Sequence, residues 1–193
     1  MLKALKIGIF SLFFCTLALG KSYVLENQNQ LIKKTTDFIE VLSDEVFEKT
    51  GISMYVVALE GLEGTNLEEN EQIYLQNLKE PFVLLFFVRK EKKINIIASA
   101  EAEKLFDKRV VYWDYIVPLI PKSDKDLTQQ SISAFLLNGF VDIADRIAQS
   151  QNVELEHSFP KQNKGQSVVR IVLYVMLFVL LLLFVFVYLR RNK

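Results

Sequence analysis

Two long apolar stretches lie at the ends of this chain, and between them apolar and polar positions alternate with regular periods. Near the C-terminus, the 19 residues from Ile171 to Leu189 carry no charge, and almost all of them are large and apolar. At a rise of 1.5 Å per residue, a helix of this length spans about 28 Å, which is close to the hydrocarbon thickness of a bilayer. A core helix of a small domain would show a polar face. The pattern therefore predicts a transmembrane helix over residues 168–189.

The N-terminal stretch predicts a secretory signal peptide over residues 1–20. Lys3 and Lys6 precede a 13-residue apolar run at 7–19, which is short for a membrane span and typical of a signal peptide. Ala18 and Gly20 supply the small residues expected at positions −3 and −1 of a cleavage site. An uncleaved membrane anchor is the alternative interpretation.

The two apolar stretches together predict a membrane topology. A signal sequence exports the residues after it, and the C-terminal helix then stops transfer. The basic tail 190–193 would remain in the cytoplasm, in agreement with the positive-inside rule. We expect a single-pass membrane protein with an exported domain over 21–155 and a polar linker over 156–167.

The central part begins with a helical pattern and continues with a strand. Apolar positions recur at helical spacing, and Gly51 follows as a stop signal. The positions are Leu31, Thr35, Phe38, Leu42 and Val46. The next eight residues, "ISMYVVAL", are rich in β-branched and aromatic types and lie between Gly51 and Gly61, which predicts a buried strand.

A second helix, a hairpin and a last helix complete the pattern. Asn66 and Glu69 fit the N-cap and N3 positions of a helix. The apolar run 81–88 is too short to span a membrane, and with the charged turn "RKEKK" and "INIIAS" it predicts a hairpin whose first strand is central. After an irregular or short-helical stretch, an apolar stripe from Ile132 to Ile147 predicts a final helix, with Asp126 as the candidate cap near its start.

This order of elements predicts an α/β fold. Helix, strand, helix, hairpin and helix are the components of a layered α/β fold with a small mixed sheet. The polar segment "VELEHSFPKQNKGQS" that follows is predicted to be a flexible stalk, and the single histidine, His157, is predicted to be solvated there.

The net charge differs between the segments of the chain. The whole chain has a net charge of zero, but residues 21–160 contain 15 Lys and Arg against 23 Asp and Glu, so the exported part carries about −8. This sign argues against nucleic acid or an anionic lipid surface as the main ligand. The only cysteine, Cys15, lies in the signal segment, which excludes disulfides from the mature domain.

Candidate chemistry is limited to carboxylates. The sequence contains no nucleophile elbow, phosphate-binding glycine loop or spaced Cys/His set. Glu60 and Glu63 follow the first predicted strand, at the end of a sheet where ligands often bind. A hard cation such as Ca²⁺ takes oxygen ligands from acidic loops. The candidate metal ligands are Asp107, Asp114, Asp124 and Asp126, and the alternative is that they are solvated charges and helix caps.

A cluster of aromatic residues is the other candidate site. Tyr112, Trp113 and Tyr115 fall within four residues of "VVYWDYIVPLIP". Aromatic residues in such a segment either fill the core or form an exposed surface for a partner. Both interpretations remain open at this stage, and burial of all three side chains would remove the second.

The order of these segments resembles the TPM domain family. The resemblance covers about Leu31 to Ile147 and rests on the helix ending in "TG", the strand "MYVVAL", the run "FVLLFFVRKEKKINIIAS" and the segment "IVPLIPKSDKD" before the last helix. The family's W-G-I-G before the hairpin and its glycine-rich motif after it are absent here. Asp107 falls near a position where the family often has an aspartate. The resemblance implies a three-layer α/β/α sandwich as the fold. It also implies calcium binding, acid phosphatase activity or upkeep of membrane protein complexes as the function.

With this resemblance, we expect a single-pass protein of a bacterial cytoplasmic membrane whose domain lies in the periplasm. The leading hypothesis is a non-enzymatic interaction or assembly module that acts on an integral membrane protein complex. The alternatives are a divalent-cation-dependent phosphatase and a calcium-binding domain without catalysis. The membrane lipid around the C-terminal helix is the other expected partner.

Overall fold

The computed structural model describes residues 22–158 and 172–181. The chain forms two compact units, 1–158 and 159–193, which are considered separately. The predicted signal peptide lies outside the described residues, as does most of the predicted linker.

The first unit is an α/β fold built on a mixed four-stranded sheet in the order β1-β2-β3-β4. The strands are β1 (Val24–Asn27), β2 (Ser53–Leu59), β3 (Phe82–Val88) and β4 (Lys93–Ala98). β1, β2 and β3 are parallel, whereas β4 runs antiparallel to β3. The predicted hairpin with a central first strand is confirmed, and so is the mixed sheet.

The two central strands are apolar throughout because both of their faces are covered. All seven residues of β2 and all seven of β3 are buried. Successive side chains of a strand point to opposite faces. Met54, Val56 and Ala58 therefore belong to one hydrophobic cluster, while Tyr55 and Val57 belong to a second cluster on the other face.

Three longer helices cover these faces. α1 (Lys33–Thr50) and α3 (Gln129–Ser150) pack on the first cluster and on each other, whereas α2 (Leu67–Leu75) packs on the second through half-buried side chains such as Tyr74. α1 ends at Gly51, whose left-handed φ of 75° allows its N–H to bond the carbonyl of Phe47. α2 begins at the predicted cap, where the Asn66 side chain accepts a hydrogen bond from the N–H of Glu69.

The structure differs from the sequence-based expectation at one strand and at one helix cap. β1 was not predicted, because its four residues, "VLEN", are too few and too mixed to show a strand period; pairing with β2 stabilises it. Asp126 does not cap the last helix. Thr128 does so, because its hydroxyl accepts a hydrogen bond from the N–H of Ser131 and the Ser131 hydroxyl accepts one from the N–H of Thr128.

The stretch between the hairpin and α3 is short-helical, as predicted. It contains 3₁₀ turns at Ala102–Leu105, Val117–Leu119 and Asp124–Asp126, one helical turn at Lys108–Val110 and a π-helical segment at Val111–Ile116. π-Helical turns are rare and frequently occur at functional sites.

The second unit is described only over residues 172–181. They form a helix, and all ten are apolar or aromatic and exposed. Within the described ranges, none of the helices combines the length and the apolar character that crossing a membrane requires.

Candidate interaction surface

The π-helical segment is fixed to the core by its first and last residues. Val111 and Ile116 are fully buried in the main hydrophobic cluster. Gly139 of α3 makes room for Ile116, and the side-chain amide of Asn138 donates a 2.7 Å hydrogen bond to the carbonyl of Tyr115. Side-chain packing and a hydrogen bond therefore both hold the segment against α3.

Between these anchors, the segment presents Trp113 to solvent, with the half-buried Tyr112 beside it. Trp113 is 59% exposed. Its ring and the Tyr112 ring meet edge to face, with centroids 5.1 Å apart and an interplanar angle of 89°. Leu119, three residues after the segment, is 47% exposed. We refer to Tyr112, Trp113 and Leu119 as the aromatic surface. Because its backbone is anchored, the surface offers contact area at low entropic cost.

Tyr115 is half-buried and already has a cation above its ring. The guanidinium of Arg146 lies 5.4 Å from the Tyr115 ring centroid, and its Nε donates a 2.6 Å hydrogen bond to Asp142 Oδ2. Burial raises the pKa of Asp142, and this effect exceeds the lowering caused by Arg146. The three side chains form an intramolecular unit of aromatic ring, cation and carboxylate.

The four predicted metal ligands occupy separate roles. Asp107 caps the turn Lys108–Val110 by accepting hydrogen bonds from two backbone N–H groups. Asp124 pairs with Lys92 at 2.6 Å, and Asp114 and Asp126 are exposed. Across the part of the chain that the structure describes, no three His, Cys, Asp or Glu side chains come together as a metal site. Calcium binding by these residues stays a prediction.

Polar side chains meet at the carboxyl ends of the parallel strands, as the sequence suggested for Glu60. The Gln30 amide, which is 2% exposed, donates to Glu60 Oε2 at 2.7 Å, and Arg89 lies 3.6 Å from the same oxygen. Arg89 also donates to the carbonyl of Leu127 at 2.8 Å. This network ties the chain before α3 to the sheet edge, whereas Glu63 is exposed at a turn with φ 48°.

The end of the first unit is bound to α1 through a buried carboxylate. Glu45 is 9% exposed and accepts hydrogen bonds from Lys49 Nζ at 2.8 Å and from the backbone N–H of His157 at 3.0 Å. His157 Nδ1 lies 2.8 Å from the same carboxylate. His157 is exposed to solvent, as predicted, but its ring is also held by this contact.

The electrostatics of Glu45 follow from these donors. Burial alone would raise its pKa, but hydrogen bonds from Lys49, from the N–H of Glu156 and from His157 outweigh burial and lower the pKa to about 2. Residues 156–158, the start of the predicted linker, therefore lie against the domain. Residues 159–167 of that linker lie outside the described residues.

Sequence reasoning identified the aromatic residues but missed their supports. Gly139, Asn138 and Arg146 lie on one side of a helix about 25 residues downstream, and only the three-dimensional packing brings them to the π-helical segment. Leu119 was also missed. One indication of this packing was present in the sequence. Gly139 interrupts an otherwise strong helix pattern, and a glycine inside a helix often has a packing reason.

Comparison with known proteins identifies the fold alone. No protein-family model and no curated protein matches the chain. The N-terminal domain of a protein from P. gingivalis, solved by NMR in solution, has a TM-score of 0.56 at 13% identity, over 72% of this chain and 91% of that one.

Two further solution structures are more distant. The N-terminal domain of the cg2496 protein from Corynebacterium glutamicum has a TM-score of 0.49 at 14% identity, over 77% of this chain and 93% of that one. The BA42 protein from Bizionia argentinensis has a TM-score of 0.44 at 13% identity, over 67% and 93% respectively. The likeness to the P. gingivalis domain shows the fold alone, and membership of the TPM family stays a prediction.

Proposed function

We propose that this protein is a membrane-anchored interaction or assembly module, with a TPM-like α/β/α domain in the periplasm of a bacterium. The observation that carries the proposal is the exposed Trp113 on a π-helical segment anchored to α3. An exposed tryptophan side chain on a rigid support is characteristic of the residues that dominate protein interfaces.

The membrane anchor is part of the proposal and rests on the sequence. The uncharged run Ile171–Leu189 and the basic tail after it are those of a single-pass anchor. Over 172–181, the described helix exposes a continuous apolar surface, which is unfavourable in water. A domain tethered in this way meets membrane proteins at a high effective concentration, so a modest intrinsic affinity suffices.

The proposed partner is an integral membrane protein complex. A direct test places a photo-crosslinking amino acid at position 112 in the full chain, expressed in native membranes. We expect one membrane complex to be crosslinked, and we expect Trp113→Ala to reduce its recovery without lowering the amount of folded protein. The matched control is a crosslinker at Ile73, an exposed apolar residue on α2, which should capture no such complex.

The rival functions are tested on the same full chain after solubilisation. Hydrolysis of a generic phosphomonoester that requires a divalent cation and is lost in Asp107→Asn would contradict the interaction module. Asparagine is the appropriate replacement because it retains the capping hydrogen bonds of Asp107 and removes only the charge. Heat released on titration with millimolar Ca²⁺ would instead favour a calcium-binding domain.

A further inference from the structure

We propose that the aromatic surface binds a positively charged segment of its partner protein, with Trp113 as the cation acceptor and Asp114 as the paired carboxylate. This inference rests on the proposed interaction function and adds the chemistry of the partner. It assigns to the partner a lysine or arginine side chain flanked by apolar residues.

The first argument is an arrangement that the same segment already contains. Arg146 lies over the ring of Tyr115 and is paired with the carboxylate of Asp142. Two residues earlier, Trp113 offers a larger ring, and the next residue in the sequence, Asp114, carries a carboxylate; both side chains are exposed. Within residues 22–158, no cation lies over Trp113 and no ion pair engages Asp114. Ring and carboxylate are thus present without an internal cation.

The second argument is energetic. Among aromatic side chains, tryptophan binds cations best, and the attraction grows from roughly 0.5 to 2 kcal/mol as water is excluded. Leu119, exposed beside the π-helical segment, gives a partner apolar area with which to exclude that water. A partner segment that carries a cation between apolar residues would therefore gain from both contacts.

The third argument is the charge of the domain. Residues 21–160 carry about −8, so the field of the domain attracts a basic partner and repels an anionic bilayer surface. The exposed cation nearest in sequence, Arg109, lies one turn before Trp113 and would oppose a basic ligand locally. Arg109 and Asp114 flank the aromatic pair with opposite charges. Variants at these two positions therefore test whether the partner segment is basic or acidic.

Trp113 is the only tryptophan in the chain, so its fluorescence reports directly on this surface. The full chain is reconstituted in phosphatidylcholine nanodiscs and titrated with three probes. These are a soluble peptide of alternating Arg and Leu, a peptide of the same length with Glu in place of Arg, and vesicles that contain phosphatidylglycerol. We expect the Arg–Leu peptide to shift the emission saturably, and we expect added salt to weaken its binding.

Charge variants then separate local recognition from general attraction. Asp114→Lys should weaken the Arg–Leu peptide about tenfold or more, while Arg109→Glu should leave its affinity unchanged or raise it. The matched control is Glu48→Lys on the exposed side of α1, which makes the same change in net charge away from this surface. Equal effects of Asp114→Lys and Glu48→Lys would overturn the proposal, because the attraction would then be non-specific.

Three other outcomes would contradict the inference. A shift with the Glu–Leu peptide that Arg109→Glu abolishes would assign an acidic partner and overturn the inference, while the interaction function would survive. A shift with the anionic vesicles alone would identify the bilayer as the occupant. If no probe shifts the emission and the crosslinker at position 112 captures no complex, both the inference and the proposed function fail.

Discussion

A Cβ atom on Gly139 would lie 2.4 Å from Cγ1 of Ile116, so the backbone of α3 and the end of the π-helical segment are in direct contact at this point. Real Cβ atoms do not approach other carbon atoms so closely, and Ile116 itself is fully buried. The position of the aromatic surface therefore depends on the absence of a side chain at residue 139.

Gly139→Ala should destabilise the domain even though alanine favours helices by about 1 kcal/mol over glycine. Overpacking at Ile116 should outweigh this gain and produce a net loss of about 1–3 kcal/mol. Urea unfolding of residues 21–158, followed by Trp113 fluorescence, measures the effect. The control is the same change in an Ile116→Ala background, where the clash is absent and Gly139→Ala should be neutral or stabilising. An equal loss in both backgrounds would contradict the packing argument.

Trp113→Ala should change the stability of the domain by less than about 0.5 kcal/mol, because the side chain is largely exposed. Phe135→Ala, on the buried side of α3, should cost about 3–5 kcal/mol by the same measurement. Urea unfolding followed by circular dichroism compares the two, since one variant lacks tryptophan. A large loss for Trp113→Ala would mean that the ring stabilises the fold rather than serving a partner.

The buried carboxylate on α1 predicts a pH dependence of stability. Glu45 has a folded pKa of about 2 against an ordinary value of 4.5, so its contribution is present above pH 4.5 and is lost as the pH falls towards 2. The shift corresponds to about 3 kcal/mol at neutral pH. Glu45→Gln should lower stability at pH 7 and flatten its decline between pH 4.5 and 2.

Glu48→Gln is the control for this prediction, since Glu48 is exposed three residues later on the same helix. It should leave the pH profile of unfolding nearly unchanged. If Glu45→Gln unfolds with the same slope between pH 4.5 and 2 as the unaltered domain, then Glu45 does not hold residues 156–157 in solution.

The sequence predicts the elements that have a clear hydrophobic pattern. It does not predict those whose conformation or position depends on a single long-range contact. β2 and β3 were predictable because their runs are bounded and uniformly apolar, as a strand covered on both faces must be. β1 was not, because four half-buried residues take their conformation from the neighbouring strand.

The candidate site, too, was predictable from the sequence only in part. The three aromatic residues stand out in composition, but which of them faces solvent depends on how Val111 and Ile116 insert under α3. The contact between Glu45 and His157 joins residues 112 positions apart, and nothing in either local sequence indicates it. Separations of this kind are set by the packing of the whole domain.

The start of α3 offers a last test, between the cap that the sequence suggested and the one that the structure contains. Thr128→Ala removes the hydroxyl that accepts from the N–H of Ser131 and should cost about 1 kcal/mol. Asp126→Ala should cost little, because only the backbone carbonyl of Asp126 contacts this helix start, through the N–H of Thr128 and the Ser131 hydroxyl. Thermal or urea unfolding of the two variants decides between them. A larger loss for Asp126→Ala would restore the aspartate as the cap.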